Sequence, residues 1–419
     1  MANIDMRRAS QQVSHDRLNG RLAEMASIGA TPNGGVNRQA LTDEDAQAQC
    51  LLARWGAEAG MTALRDEVGN LYLSLPGSDP ALPPVMTGSH MDTQPTGGRF
   101  DGIYGVMAGL EAIFAIAESG RPRKRNIELV AWVNEEGSRF APSLMGSGVY
   151  AGVRSVESVL ALRDLDGVTV AQALERIESR LAHIGRRPVG GPVHAYVEAH
   201  IEQGPLLEQT GDTIGVVTGI QGKHTYRVTV RGEAAHAGTA PLRERRDALL
   251  AATAIIQELS RQLDDPADIV RFTVGRFIVS PNAPSVVASE AVFSIDLRHP
   301  DPEKLQAFSD RIPKVCAQHA GNCAVEVERL YTAEPLTFSA PIQDMIADAA
   351  SHLGISSRSI LSAAGHDAGL IQRICPTGMI FVPSIDGITH NEAEFSRPED
   401  LTEGTRVLAD VLDSLASQP

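Results

Sequence analysis

Residues 84–108, PVMTGSHMDTQPTGGRFDGIYGVMA, constrain this chain most. A short apolar run ends in Gly88-Ser89-His90-Met91-Asp92. A loop with Pro and paired glycines follows, and Asp101-Gly102 opens a helix-like segment. A buried strand passing through a tight loop into an apolar helix is the unit of an α/β sheet. In such sheets functional groups gather beyond the carboxyl ends of the strands. The two ends of the loop each offer a metal-type ligand, His90 and Asp101, and Asp92 stands where it can hold the His90 imidazole. The expectation is one half of a two-metal site, completed from elsewhere in the chain.

A chain of 419 residues exceeds one ordinary core, so two domains are expected. The formal net charge of -15 argues against a nucleic-acid partner, which requires a basic face for phosphates. It leaves a small anionic substrate open, because one local cation can hold it. The opening segment has no apolar signal core, and no apolar run reaches the roughly 18 residues of a membrane span, so neither a leader nor a membrane partner is expected. Cys50, Cys316, Cys323 and Cys375 contain no CxxC pair and read as reduced thiols of a cytoplasmic protein.

Periodicity then sets the domain plan. The pattern predicts a hairpin over 61–75, a buried helix over 103–117, and a strand over 127–133 running into Asn134-Glu135-Glu136-Gly137. Residues 195–203 alternate, with Tyr196, Glu198, His200 and Glu202 on one face and Val197, Ala199 and Ile201 on the other. A polar face of His and Glu on an otherwise apolar strand points to a site. From 213 to 332 the order is βαββαβ: strands over 224–231, 270–276, 291–298 and 324–330, a helix over 249–263, and another opened by Asp301-Pro302 and kinked at Pro313. After 333 the α/β pattern resumes. The expected fold class is therefore α/β, with a catalytic domain built from 1–212 and 333–419 and an inserted ferredoxin-like βαββαβ domain at 213–332.

Five side chains stand at strand ends or on the polar strand face: His90, Asp101, Glu136, His200 and His390. Imidazole mixed with carboxylate suits zinc and its first-row neighbours, whereas all-oxygen sets suit magnesium or calcium. Two ions about 3.5 Å apart need a carboxylate that bridges them. Five ligands with one bridge give each ion three, leaving room for a water that attacks a carbonyl, and the Glu beside a ligand Glu can take its proton. Any one of these residues alone is as well explained by a surface His, a solvated Glu pair or an ordinary Asp-Gly turn. Their coincidence at strand ends is what points to a metal centre.

The motifs SHMDTQPTGGRFDGIYGV, AWVNEEGSRF, AHIEQGP, GEAAHAG, AGHDA and IFVPSIDGITHNE, in this order over nearly the whole chain, resemble the amidase, hydantoinase and carbamoylase branch of the M20-type di-zinc metallopeptidase superfamily. That branch holds N-carbamoyl-L-amino acid hydrolases, β-ureidopropionases and allantoate amidohydrolases. The resemblance implies two metal ions per subunit, zinc by default, with manganese, cobalt or nickel as substitutes. His90 and His200 then hold one ion, Glu136 and His390 the other, and Asp101 bridges both. Glu135 is the implied general base and Asp92 the residue that orients His90. A cis peptide is implied at Asp101-Gly102. His200, where peptidases of the superfamily carry a carboxylate, resembles the carbamoyl-hydrolysing branch.

The same resemblance assigns Gln203, His366 and Arg298 to the substrate, Arg298 gripping its carboxylate. It gives His236 the oxyanion in the active site of a partner subunit, so a homodimer through the inserted lid and dimerisation domain is expected. One position departs. The branch commonly reads Asn-Val-Val-Pro-Gly where this chain reads Ser285-Val286-Val287-Ala288-Ser289, and Asn282 lies three residues earlier. Ser285 lacks the paired donor and acceptor of an amide, which leaves substrate choice open. The implied reaction is hydrolysis of a linear N-carbamoyl (ureido) amino acid. Allantoate and N-acyl amino acids are alternatives, and a metallo-dipeptidase is disfavoured by His200.

Overall fold

The apolar run before His90 forms the strand Val85–His90, buried along its whole length. The computed structural model describes residues 8–267 and 269–418; residues 1–7 of the opening segment lie outside the described residues. Ile127–Trp132 and Ala195–Ile201 flank the His90 strand in parallel, and Thr377–Val382 runs parallel beyond Ala195–Ile201. Parallel strands are covered on both faces, which is why all four are buried throughout. The antiparallel pair Leu71–Leu75 and Thr62–Arg65 extends one side of this core, and Ile214–Ile220 extends the other. The predicted hairpin is thus part of the sheet. Asp66 shapes its turn by accepting the backbone N–H of Val68, Gly69 and Asn70 at 3.1, 3.0 and 3.0 Å.

Because the four central strands are parallel, their carboxyl ends open on one edge. The register pairs His90 with Trp132 and His200 with Phe381. The loops carrying Asp92 to Asp101, Glu135-Glu136, Gln203 and His390 therefore all start at that edge. Behind it lies the helix Ile103–Ser119, apolar on nearly every side and buried because it sits between the sheet and the closing helix Pro398–Ser417. Gly105 makes this seat possible: a Cβ there would strike the Ala199 carbonyl oxygen and stand 2.7 Å from Ser89 Cβ.

The chain forms two compact units, Met1–Thr218 with Phe338–Pro419, and Gly219–Thr337. The second begins and ends a few residues beyond 213–332. The physical reason is that 214–218 continue as strand in the large sheet, so the change of character near Thr213 precedes the true boundary. Within Gly219–Thr337, Glu290–His299 pairs antiparallel with Gly222–Arg231, which pairs antiparallel with Ala324–Ala333. The strand expected over 270–276 is instead two short pieces, Arg271–Thr273 and Phe277–Ser280, both on the far side of Glu290–His299. Taking those two pieces as one, the four strands stand in the order 4-1-3-2. Ala291, Phe293, Ile295 and Leu297 face a separate core with Val228, Ile255 and Leu259. The second helical segment divides at Asp310, and Pro313 falls in the first turn of Arg311–His319, where its missing N–H has no partner to lose. Among the described residues no helix is long and apolar enough to cross a membrane.

The Gly105 contact yields a stability prediction. Gly105→Ala should force the helix off the His90 and His200 strands and cost about 1–3 kcal/mol. Urea denaturation followed by circular dichroism should show a lower midpoint at an unchanged slope.

Candidate active site

The site is built around the Asp101 carboxylate. One oxygen, Oδ1, lies 3.3 Å from His200 Nε2 and 3.9 Å from His90 Nε2. The other, Oδ2, lies 3.2 Å from His390 Nε2, which is itself 3.3 Å from a Glu136 oxygen. Two groups of potential ligands thus share Asp101: His90, Asp101 and His200, and Asp101, Glu136 and His390. Ligand atoms about 2 Å from a tetrahedral ion stand about 3.3 Å from one another, so these separations fit a divalent cation in each group. Glu135 sits beside them, one carboxylate oxygen 3.6 Å from His90 Nε2.

Local hydrogen bonds aim the imidazoles. His90 Nδ1 is 2.9 Å from the Asp92 carbonyl oxygen, and His200 Nδ1 is 2.9 Å from the Ile201 carbonyl oxygen. A carbonyl only accepts, so each Nδ1 carries the proton and each Nε2 presents its lone pair toward Asp101. The Gly102 N–H donates to His200 Nε2 at 3.2 Å, consistent with that tautomer. Gly102 has φ 66°, and a Cβ on it would strike the His90 ring.

Two expectations are corrected here. The Asp92 carboxylate does not hold His90, since the nearer oxygen is 3.9 Å from Nδ1. It accepts the backbone N–H of Glu135 and Glu136 at 3.1 and 3.2 Å, while the Asp92 main chain orients the imidazole. A carboxylate one strand away from two N–H groups at a sharp turn is better used on them. The Asp101–Gly102 peptide is also not cis; among the described residues the cis bonds are Ala141–Pro142 and Ser280–Pro281. Unusual backbone appears instead as positive φ at Asn134, Gln203 and His390, all on loops that border the site.

The electrostatics are those of buried acids gathered in one place. Burial, then the charge of Asp367 and Glu136, pushes Glu135 well above the usual carboxylate range. Burial and the Asp101 charge raise Glu136 to about 7. Burial also favours neutral Asp101, but the His390 hydrogen bond and the fields of His200 and His90 outweigh it and hold Asp101 below the usual range. Burial lowers His90 to about 4 and keeps it neutral, as a ligand must be. The hydrogen bond to Asp101 raises His390 to about 9, against the opposing effect of burial. Among the described residues, the groups that hold Asp101 down are imidazoles. Cations shared between these carboxylates would offset the repulsion, so the donor set fits two divalent ions.

The other candidates are distributed as follows. Gln203 Nε2 donates to Asp101 Oδ2 at 3.0 Å and to Thr389 Oγ1 at 3.2 Å. His366 is buried, bonds Ser362 Oγ at 2.9 Å and lies edge-on to His200 with ring centroids 4.6 Å apart. Glu202 leaves the expected face and caps a short helix through Leu206 and Leu207 N–H. His236, Asn282, Ser285 and Arg298 belong to the second unit. His236 is exposed and lies opposite Val286 in a short antiparallel pair, where Ala237 N–H donates to Ser285 O at 3.0 Å. His236 Nδ1 accepts from Gly238 and Thr239 N–H at 3.1 and 3.2 Å. Asn282 has φ 56° in the adjoining turn. Arg298 forks onto Asp296, Nε at 2.8 Å and Nη2 at 3.2 Å. Sequence reasoning missed Gln94, which donates to Glu136 Oε2 at 2.7 Å, and Glu394 and Thr389, which surround Asp101. The last two carry no ligand-type spacing, although Glu394 lies one turn's reach from His390.

The profile of Peptidase family M20/M25/M40 matches residues 86–414. An N-carbamoyl-L-amino-acid amidohydrolase of Rhizobium meliloti is 40% identical over 95% of this chain and 96% of its own. An allantoate amidohydrolase of Bacillus subtilis is 36% identical over 94% of this chain and 95% of its own. The crystal structure of an amidase of the hydantoinase/carbamoylase family from Burkholderia multivorans superposes with a TM-score of 0.89, at 43% identity over 97% of this chain and 99% of that one. The chain therefore belongs to Peptidase family M20/M25/M40.

Removing one ligand should empty one half of the site first. His90→Ala and His390→Ala should each retain about one divalent ion per chain where the parent holds two, by plasma mass spectrometry after gel filtration. Stripping both ions with a chelator should lower the melting temperature, and adding zinc should restore it.

Proposed function

We propose that this chain hydrolyses a linear amide C–N bond, with an N-carbamoyl (ureido) amino acid as substrate and the amino acid, ammonia and carbon dioxide as products. The observation that carries this reading is Asp101 standing between two ligand groups with Glu135 beside them. The names of the relatives supply the substrate class. His90, Asp101 and His200 would hold one ion and Asp101, Glu136 and His390 the other, zinc by family default with manganese, cobalt or nickel as substitutes. Bound there, the ions supply Lewis acidity, polarising a carbonyl and easing the deprotonation of water.

The chain's own groups do the rest. Asp92 holds the backbone on which Glu135 rides, so the Glu135 carboxylate keeps its place at the edge of the ligand cluster. It takes a proton from the water that adds to the ureido carbonyl and gives it to the nitrogen that leaves as the C–N bond breaks. The carbamate left behind decomposes to carbon dioxide and the second nitrogen product. His236 is assigned to the oxyanion in the site of a partner subunit. Its Nδ1 accepts two backbone N–H groups, so the neutral ring carries its proton on Nε2 as an oriented donor. Arg298, steadied by Asp296, is assigned to the substrate carboxylate, and Gln203, His366, Ser285 and Asn282 to its remaining polar groups.

The 4-1-3-2 strand order of Gly219–Thr337 supports a ferredoxin-like domain, which we assign as lid and homodimer contact. Four free cysteines support a cytoplasmic location. Allantoate is the second reading, favoured by the Bacillus subtilis relative.

Ammonia release should be measured over a panel of N-carbamoyl α- and β-amino acids, allantoate and N-acyl amino acids with several divalent metals. N-carbamoyl amino acids should be turned over fastest; a flat response to all of them overturns the assignment. Glu135→Gln should lower kcat at least about a hundredfold with both ions retained. Arg298→Ala should raise KM about tenfold or more with kcat nearly unchanged.

A further inference from the structure

We infer that Glu394 is a positioning residue that locks the bridging Asp101 in place and ties the Asp101 loop to the His390 loop. This rests on the reading of the site as a metal centre. Glu394 is 1% exposed, and its carboxylate is spent on that one task. Oε1 accepts the backbone N–H of Phe100 at 2.9 Å and of Asp101 at 3.0 Å. Oε2 accepts the Thr389 hydroxyl at 3.2 Å. Thr389 Oγ1 is also 3.3 Å from Asp101 Oδ2, the oxygen that faces His390. The Asp101 main chain is therefore held directly by Glu394, and the single Thr389 hydroxyl proton lies between Glu394 Oε2 and Asp101 Oδ2, donated to one of them at a time.

The surroundings fit the carboxylate closely. A Cβ on Gly98 would strike it, so Gly98 of the paired glycines leaves the space that Glu394 occupies. The sequence spacing has a reason too. Glu394 lies four residues past His390, and the turn between them returns the chain to the Asp101 loop, with Glu394 N–H on Asn391 O at 3.0 Å. A ligand oxygen displaced by a fraction of an ångström weakens both cations at once when it bridges them. Partners of this kind typically set metal affinity or activity by about 10- to 100-fold.

The geometry requires an acceptor for two N–H groups and a contact for Thr389, not a negative charge. Glutamine meets both needs: its carbonyl oxygen accepts the N–H groups, and its amide donates to Thr389 Oγ1, leaving the hydroxyl proton for Asp101.

The experiment compares the full-length parent with Glu394→Ala, Glu394→Gln, Thr389→Val and, as a control, His390→Ala. Cobalt affinity is read by competition with a chromophoric chelator, the visible cobalt spectrum is recorded, and kcat and KM are measured on the best substrate. Glu394→Ala should lose about 10- to 100-fold in cobalt affinity, shift the cobalt bands and lower kcat with KM within about threefold. Thr389→Val should show a smaller loss in the same direction, and Glu394→Gln should recover to within about threefold of the parent. A folded Glu394→Ala protein with parental affinity and spectrum overturns the inference, as does a Gln variant as impaired as Ala. Should the Ala variant not fold, an unchanged Thr389→Val protein overturns it instead. If His390→Ala also binds cobalt as the parent does, the metal-centre reading itself fails, a different outcome from failure at Glu394 alone.

Discussion

One carboxylate with a different imidazole at each oxygen is the constraint on which the active edge depends. Asp101 Oδ1 faces His200 and His90, and Oδ2 faces His390. To bring those three rings to one side chain, the fold needs parallel strands whose carboxyl ends open together. It also needs a helix seated close behind them, which Gly105 permits. The sheet order, the buried helix Ile103–Ser119 and the strained loop residues all serve that convergence.

Convergence has an electrostatic cost. Asp92 and Glu394 are buried and Glu135 and Glu136 half-buried near Asp101, and desolvation raises each of them above the usual carboxylate range. The chain meets this cost mostly with dipoles. Backbone N–H groups point at Asp92 and Glu394, Gln94 donates to Glu136, and Gln203 donates to Asp101. Dipoles can satisfy the outer oxygens of each carboxylate and leave the inner ones for cations. The donors that reach these carboxylates from behind are accordingly main-chain and side-chain amides.

Much of this was legible in the order of residues. The alternation around His200, the apolar strand ending at Glu135-Glu136 and the Asp101-Gly102 junction follow from side-chain period and from the shortness of βα loops. Asp92 shows where such reading stops. Its spacing from His90 suggested a direct contact, but its carboxylate turns to the Glu135 and Glu136 amides in the loop after the neighbouring strand Ile127–Trp132, which sheet register brings alongside. Glu202 likewise shared a face with His200 on paper, yet lies beyond the last paired residue and caps a helix instead. The strand at 214–218 misled the domain boundary because a short apolar run has the same period in either sheet.

By itself the sequence determined the ligand chemistry, the alternation of strands and helices, and the presence of a second βαββαβ core, because these depend on residue type and local period. Only the tertiary structure decided which groups hold Asp101 between the imidazoles. Glu394 and Thr389 reach Asp101 across nearly three hundred residues of chain. No local pattern encodes such a contact; it exists because two loops leave parallel strands at the same edge, on either side of the strand Ala195–Ile201.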